Sequence, residues 1–112
     1  MLAQKSIDGR KTDRVRCRIR GTIRFMLQKL DIIVLDISRT GMALQLQGWL
    51  DAKPGCVIEV ETREFGMIQA TVRWYRAGKM GIKIEETTNT VAQINAYFKN
   101  HHKDCHFILV KS

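Results

Sequence analysis

Between Arg14 and Phe25 apolar and basic residues alternate at every position except Gly21 and Thr22. A period of two is typical of a β-strand with one buried face and one face in water. In a helix, residues two positions apart point to different sides, so the apolar residues would not share one face. The apolar positions are Val15, Cys17, Ile19, Ile23 and Phe25, and the basic ones are Arg14, Arg16, Arg18, Arg20 and Arg24.

Five further short strands are predicted after this one. They are Leu30 to Ile37, Met42 to Leu46, Val57 to Thr62, Met67 to Trp74 and Gly81 to Ile84. Turn residues separate them, among them Lys53-Pro54-Gly55 and the segment around Gly78. Short, evenly spaced strands indicate an antiparallel sandwich or barrel.

The period changes near the end of the chain. Val91, Ile94 and Phe98 follow one another at helical spacing, with Tyr97 beside them. Thr90 and Gln93 form a possible capping box. We therefore expect one amphipathic helix from about Thr90 to His102 that packs on the barrel or closes one of its mouths.

The length of 112 residues predicts one domain, large enough to fold without a metal or disulfides. No stretch is apolar enough to span a bilayer, and residues 1–13 lack the apolar core of a secretory signal. Three widely spaced cysteines, Cys17, Cys56 and Cys105, suggest no disulfide framework. We expect a cytoplasmic protein whose residues 1–13 form a flexible basic arm before a barrel-and-helix domain over 14–112.

The charge of the chain is unevenly distributed. Its formal net charge is +8, and residues 1–24 contain eight basic against two acidic residues, hence +6 of that total. Such a concentration predicts an anionic partner: a nucleic acid, an anionic membrane surface or a phosphate-bearing small molecule. Arginine dominates the run, and its planar fork suits phosphates and base edges better than lysine does.

Two short motifs lie at the ends of predicted strands. Arg10-Lys11-Thr12-Asp13-Arg14 precedes the first strand, and Asp36-Ile37-Ser38-Arg39-Thr40-Gly41 covers a strand end and the following turn. Together they resemble the R-x-x-x-R and [D/N]-x-S-x-x-G signature of the PilZ family. Val72-Arg73-Trp74 and Gly81-Ile82-Lys83-Ile84 are similar to that family's fifth and sixth strands. The resemblance implies a mainly β fold, a six-stranded antiparallel barrel with a C-terminal helix.

The resemblance also implies a ligand, the bacterial second messenger cyclic di-GMP, which has two phosphates and two guanines. Arg10 and Arg14 can each present a fork to a phosphate or to guanine O6 and N7. Asp36 is an acceptor for the N1–H and N2–H₂ donors of guanine. Ser38 can serve a phosphate or the turn, and Gly41 allows a positive φ or close ligand approach. Lys11 stands where family members often have a second arginine, and it would be a weaker phosphate contact.

Other candidate residues are less specific. Trp74 can stack on a ligand or belong to the rim of the core. His101, His102, Cys105 and His106 cluster near the C-terminus, but their spacing matches no structural zinc pattern, and we expect no metal and no further cofactor. The chain contains no nucleophile–base pair, paired carboxylates or P-loop, so we expect no enzyme.

Three functions remain open from the sequence. The first is a cyclic di-GMP receptor that changes conformation and regulates an unidentified protein partner in motility, exopolysaccharide or virulence output. The second is a basic barrel that binds single-stranded nucleic acid non-specifically along Arg16, Arg18 and Arg20. The third is a PilZ-like adaptor that works through protein contacts alone. The intact motif favours the first.

Overall fold

The alternating segment forms the first strand of the fold. A computed structural model describes residues 14–100, and strand β1 covers Val15–Phe25. Val15, Ile19 and Ile23 are buried, whereas the arginines between them are exposed. The predicted division into one apolar and one basic face is confirmed.

Five more strands complete an antiparallel barrel in this part of the chain. They are β2 (Gln28–Ile37), β3 (Gly41–Leu46), β4 (Val57–Thr62), β5 (Gly66–Arg76) and β6 (Lys79–Ile84). The hydrogen-bonded order is β1-β2-β3-β6-β5-β4, and β4 pairs with β1 to close the barrel. β5 and β6 are longer than predicted, because Ala77 and Gly78 both take a positive φ and connect them in a tight two-residue turn.

The core fills the inside of this barrel. Every strand contributes buried aliphatic side chains, including Ile23, Val34, Leu44, Val60, Ile68, Val72 and Ile82. At the end that we call the hairpin end, the turns at 26–27 and 77–78 lie with the loop 47–56, whose Leu50 and Ala52 are buried. At the opposite end, the helix end, the β2–β3 and β4–β5 turns meet a helix.

That helix, α1, covers Thr88–Asn100 and begins earlier than predicted. The predicted capping box of Thr90 with Gln93 is wrong: Thr87 and Thr90 form it instead. The Thr87 hydroxyl accepts from the Thr90 amide at 3.1 Å, and the Thr90 hydroxyl accepts from the Thr87 amide at 2.9 Å. Thr90, at the third helical position, accepts the hydrogen bond from the N-cap amide that a glutamate or glutamine side chain usually accepts.

The buried face of α1 also differs from the prediction. Thr90, Ile94 and Tyr97 are buried, whereas Val91 is about half exposed. Tyr97 meets Phe65 of the β4–β5 turn edge to face, with ring centroids 6.0 Å apart. Gln93 donates to the carbonyls of Phe65 and Met67 at 2.9 and 3.0 Å. The helix is thereby attached to one mouth of the barrel, as expected.

Some expectations fall outside the described residues. These are the arm at 1–13, the predicted end of the helix at 101–102 and the cluster of His101, His102, Cys105 and His106. The helix over Thr88–Asn100 is too short and too polar to cross a lipid bilayer.

The capping pair predicts a stability effect. Thr87→Ala removes the side chain that caps α1 and should lower the free energy of unfolding by about 1 kcal/mol. Thr88→Ala, one position later and exposed, should change it by less than about 0.5 kcal/mol. Urea unfolding followed by circular dichroism measures both. Equal effects in the two variants would contradict the assignment of the cap to Thr87.

Candidate ligand-binding site

Asp36 lies at an irregularity of strand β2. The pairing of β1 with β2 shifts register between Arg16 and Ile19, and that of β2 with β3 shifts between Val34 and Asp36. As a result Val34 and Ile37 are both buried, with two residues between them instead of one. Shifts of this kind re-aim a side chain. Here they leave the Asp36 carboxylate on the outer wall of the barrel.

Arg14 is the ion-pair partner of Asp36. Its guanidinium Nη1 donates to Asp36 Oδ1, and the two side chains are 52% and 24% exposed. Arg14 comes two residues before Arg16, which is the cross-strand partner of Asp36, so both arginines belong to the outer face. The structure therefore joins the end of the first motif to the start of the second.

Ser38 organises the turn that follows Asp36. Its side chain is buried, and its Oγ accepts from the amides of Thr40 and Gly41 at 3.2 and 3.1 Å. Its own amide donates to the Gly41 carbonyl at 2.8 Å. Of the two roles expected for Ser38, this geometry uses its hydroxyl within the turn.

Gly41 is required by packing. Its φ is not positive, so of the two alternatives for this residue the left-handed conformation is not used, and close approach of a ligand stays a prediction. A Cβ at this position would lie 2.6 Å from the carbonyl oxygen of Ile82 on β6. The Thr40 carbonyl accepts from the Ile84 amide at 2.9 Å in the same region. Glycine thus lets the turn close directly against β6.

A row of cross-strand neighbours leads from Asp36 to Trp74. Asp36 pairs with Ala43, Ala43 with Gly81, and Gly81 with Trp74, across β2, β3, β6 and β5. Strands lie about 4.8 Å apart, so the row is roughly 14 Å long between its terminal Cα atoms. We call these four positions the outer row. Its two middle members are small, but the Trp74 indole covers Gly81, so a planar molecule can approach the sheet only over Ala43.

Trp74 does not belong to the core. It is 36% exposed, and its indole lies across Gly81, where an added Cβ would fall 2.2 Å from the indole Nε1. The Arg76 guanidinium lies 5.2 Å from the centre of the Trp74 ring. Trp74 is therefore a residue of the outer wall that packs on Gly81, and its stacking on a ligand stays a prediction.

The assembled groups have a clear chemical capacity. A carboxylate that accepts, guanidinium forks that donate and an aromatic plane stand on one wall. This combination can bind a molecule with a donor-bearing planar base and a phosphate. Arg14, Asp36, Ser38 and Gly41 are brought together, and Trp74 joins them along the outer row. Arg10 and Lys11 lie outside the described residues.

Sequence reasoning missed three residues of this region. Arg76 and Gly81 hold the Trp74 indole, and their roles depend on strand register, which no local motif encodes. Arg39 stands at an unspecified position of the second motif. Its Nε donates to Asn95 Oδ1 at 3.3 Å, and its guanidinium lies 5.0 Å from the Phe98 ring centre. Arg39 thus links the turn to helix α1.

Two other expectations can be compared with residues 14–100. Arg16, Arg18 and Arg20 are exposed on β1, and no aromatic residue shares the outer face of that strand. The stacking platform that usually accompanies single-strand binding is therefore missing from this face. Within the described chain, no group of three or more histidine, cysteine, aspartate or glutamate side chains could hold a metal ion.

Comparisons with known proteins give a family and a fold. The family model described as PilZ domain matches residues 8–100. The solved structure of the Bacillus subtilis inhibitor of motility (MotI/DgrA) is similar, with a TM-score of 0.60 and 17% sequence identity. The match covers 82% of this chain and 49% of that one, so the chain spans about half the length of that protein. The comparison with curated proteins gave no match.

The packing of Trp74 on Gly81 predicts a spectroscopic change. In a Trp49→Phe background Trp74 is the sole tryptophan. Adding Gly81→Ala should displace the indole into water and shift its fluorescence emission to longer wavelength, because the new methyl group occupies its place. Gln45→Ala, on the exposed side of β3, is the control and should leave the emission unchanged. An unshifted spectrum in the Gly81→Ala protein would contradict this packing.

Proposed function

The chain belongs to the PilZ family, and we propose that it is a cytoplasmic receptor for cyclic di-GMP that regulates a protein partner. Proteins of this family are receptors and adaptors rather than enzymes. The observation that carries the proposal is the Arg14–Asp36 pair at one end of the outer row, with Trp74 at the other. Arg14, the last residue of the first half of the family signature, meets Asp36, the first residue of the second half, there.

In this proposal Asp36 receives a guanine. A carboxylate offers two acceptor oxygens, which match the adjacent N1–H and N2–H₂ donors of that base. The register shifts around Asp36 support the role, since they place the carboxylate on the outer wall beside the small Ala43. Adenine lacks this pair of donors on one edge, so the same contact gives selectivity for guanine.

The arginines bind the rest of the ligand. Arg14 stays close enough to Asp36 to donate to a phosphate or to guanine O6 and N7. Its ion pair with Asp36 is half exposed and contributes at most about 1 kcal/mol, so rearrangement on binding costs little. We assign Arg10 and Lys11 to the phosphates as well, from their place in the first motif.

The remaining motif residues act through shape. Ser38 and Gly41 hold the turn in place, because one is hydrogen-bonded inside it and the other lies against the Ile82 carbonyl. The Trp74 indole, with the Arg76 guanidinium near its ring, offers a surface for the second base or the ribose.

A route from the site to a partner runs through Arg39. This residue is part of the turn and contacts Asn95 and Phe98 of α1. A ligand that moves the turn would therefore act on the helix, whose exposed side faces solvent and can be read by another protein.

Calorimetry with cyclic di-GMP tests the site. We expect selective binding, and Arg14→Ala should weaken it by roughly 10- to 150-fold, because a hydrogen bond to a charged group is worth about 1.5–3 kcal/mol. Arg10→Ala and Asp36→Asn should also weaken it. Arg24→Ala is the matched control, since Arg24 is on the outer face of β1 at the end away from Arg14, and the change should leave the affinity unchanged.

The outcomes separate the three functions. Unchanged affinity in both Arg10→Ala and Arg14→Ala would refute the site. No binding of cyclic di-GMP by the unaltered chain would favour an adaptor that works without ligand. A short single-stranded oligonucleotide, titrated in parallel at physiological salt, should bind weakly and without sequence preference. Tight, sequence-selective binding of that oligonucleotide would favour the nucleic-acid alternative instead.

We further propose that residues 1–13 close over the ligand. The basis is sequence: Leu2, Ala3 and Ile7 stand isolated among polar residues, too few to offset the entropy of ordering the segment. Arg10 is four residues from Arg14 along the chain, and Arg14 lies beside Asp36, so Arg10 would be within reach of a ligand at the outer row. Ligand phosphates would then draw the arm down.

NMR order parameters measured with and without cyclic di-GMP test this closure. Residues around Arg10 should have low order parameters in the free protein and higher values in the saturated complex. Residues of β4, on the far side of the barrel, serve as an internal reference and should not change. An arm that is rigid without ligand, or still mobile when the site is saturated, would exclude closure.

A further inference from the structure

We propose that the hairpin end of the barrel docks on an anionic membrane surface. Four large apolar side chains are exposed there, and besides Val57 at the start of β4 the three that protrude most are Met26 (79%), Leu27 (102%) and Trp49 (67%). Met26 and Leu27 form the tip of the β1–β2 hairpin, and Trp49 belongs to the loop 47–56. We call these three residues the apolar tip. Side chains that protrude in this way can enter the boundary between lipid headgroups and acyl chains.

Hydrogen bonds and stacking hold the apolar tip together. The Gln28 side chain donates to the Trp49 carbonyl at 3.4 Å and accepts from the Asp51 amide at 2.8 Å, which joins the loop to the hairpin. The Trp49 ring stacks on Tyr75, with centroids 4.9 Å apart. The Tyr75 hydroxyl in turn accepts from the Leu50 amide at 3.1 Å. An indole fixed at the surface is suited to the membrane interface.

The backbone at Met26 provides an independent observation. Met26 has a φ of 54°, in the left-handed region that favours glycine or asparagine. The turn alone would be served better by one of those residues, and Leu27 buries nothing within the fold. Strain at an exposed apolar residue points to a contact outside the described chain.

Cations surround the apolar tip. Arg24 lies opposite Lys29 across the first hairpin, and Arg76 lies opposite Lys79 across the β5–β6 hairpin. Like charges directly opposite each other destabilise an antiparallel pair, yet both hairpins of this end have them. Lys53 in the loop adds a further exposed cation. The nearby acids are Asp31, Asp51 and Glu59, of which Glu59 lies 3.7 Å from Arg24.

This charge pattern favours an anionic membrane over a second copy of the chain as the partner of the hairpin end. A second copy of the chain, docked through the same end, would bring these cations against their own equivalents. An anionic lipid surface attracts them instead, while the apolar tip enters the interface. Each contribution alone gives weak adhesion, and the two together provide the pair of signals that stable peripheral binding needs.

Sedimentation with lipid vesicles tests the proposal on the full chain. We expect binding to phosphatidylcholine vesicles that contain phosphatidylglycerol, and far weaker binding to phosphatidylcholine alone. Met26→Asn with Leu27→Ser should abolish most of the binding at unchanged net charge, and asparagine suits the backbone of residue 26. Met67→Ser is the matched control, because Met67 is a half-exposed methionine near α1 at the helix end.

A second pair of variants tests the charges. Lys29→Gln with Lys79→Gln should weaken binding roughly fivefold for each cation removed. Lys83→Gln with Lys99→Gln lowers the net charge equally at the helix end and should have little effect. All of these variants keep the basic residues at 1–13. A difference between the two lysine pairs therefore reports the contribution of the hairpin end and not that of residues 1–13.

Three results would overturn the proposal. Equal binding to neutral and anionic vesicles would remove the role of the cations. Equal weakening by both lysine pairs would mean that only net charge matters. Self-association that the Met26→Asn, Leu27→Ser protein loses, without vesicle binding by the unaltered chain, would assign the apolar tip to a second copy. Circular dichroism on each variant verifies that it is folded.

Discussion

The alternation of inward and outward side chains around a closed barrel is the constraint on which the rest of this structure depends. Each strand must send every second residue into a core of isoleucine, valine and leucine, and closure leaves the barrel no free sheet edge. Because side chains repeat every two residues, a slip of one position would turn the Arg16 and Arg18 face inward. The buried set therefore fixes the register, and the register fixes which polar residues meet on the outer wall.

Much of this arrangement could be predicted from the sequence, because the relevant signals are local. The period of β1, the motif from Asp36 to Gly41 and the helical spacing near the end of the chain are each readable within about a dozen residues, and the strands and the helix follow from such signals. The ion pair of Arg14 with Asp36 was not predicted, since it depends on the pairing of β1 with β2. The predicted start of the helix at Thr90 was wrong. The sequence favoured a capping box of Thr90 with Gln93, whereas Thr87 and Thr90 cap each other in the structure. The position of Trp74 on Gly81 was not predictable, since it depends on a register shift between Val72 and Trp74 in a non-local pairing.

The barrel separates stability from recognition. Core residues face inward, so a substitution on the outer row, for example at Ala43, alters the surface with little loss of buried apolar area. At Asp36 the outward position requires irregular pairing. The register of β2 shifts against both β1 and β3 next to this residue, and the carboxylate lies on the outer wall as a result. Gly81 is the exception on the outer row, because a Cβ there would meet the Trp74 indole. Gly41, outside that row, is fixed in the same way by the Ile82 carbonyl.

The same alternation places the two proposed surfaces one residue apart. Trp74 faces outward and ends the outer row, whereas Tyr75 turns towards the mouth of the barrel and stacks on Trp49 of the apolar tip. Arg76 faces outward again and lies over Trp74 while it flanks the hairpin end. A ligand stacked on the Trp74 indole would lie one residue from Tyr75, which holds Trp49 of the apolar tip. Strand β5 is therefore shared by the proposed ligand site and the proposed membrane-docking end.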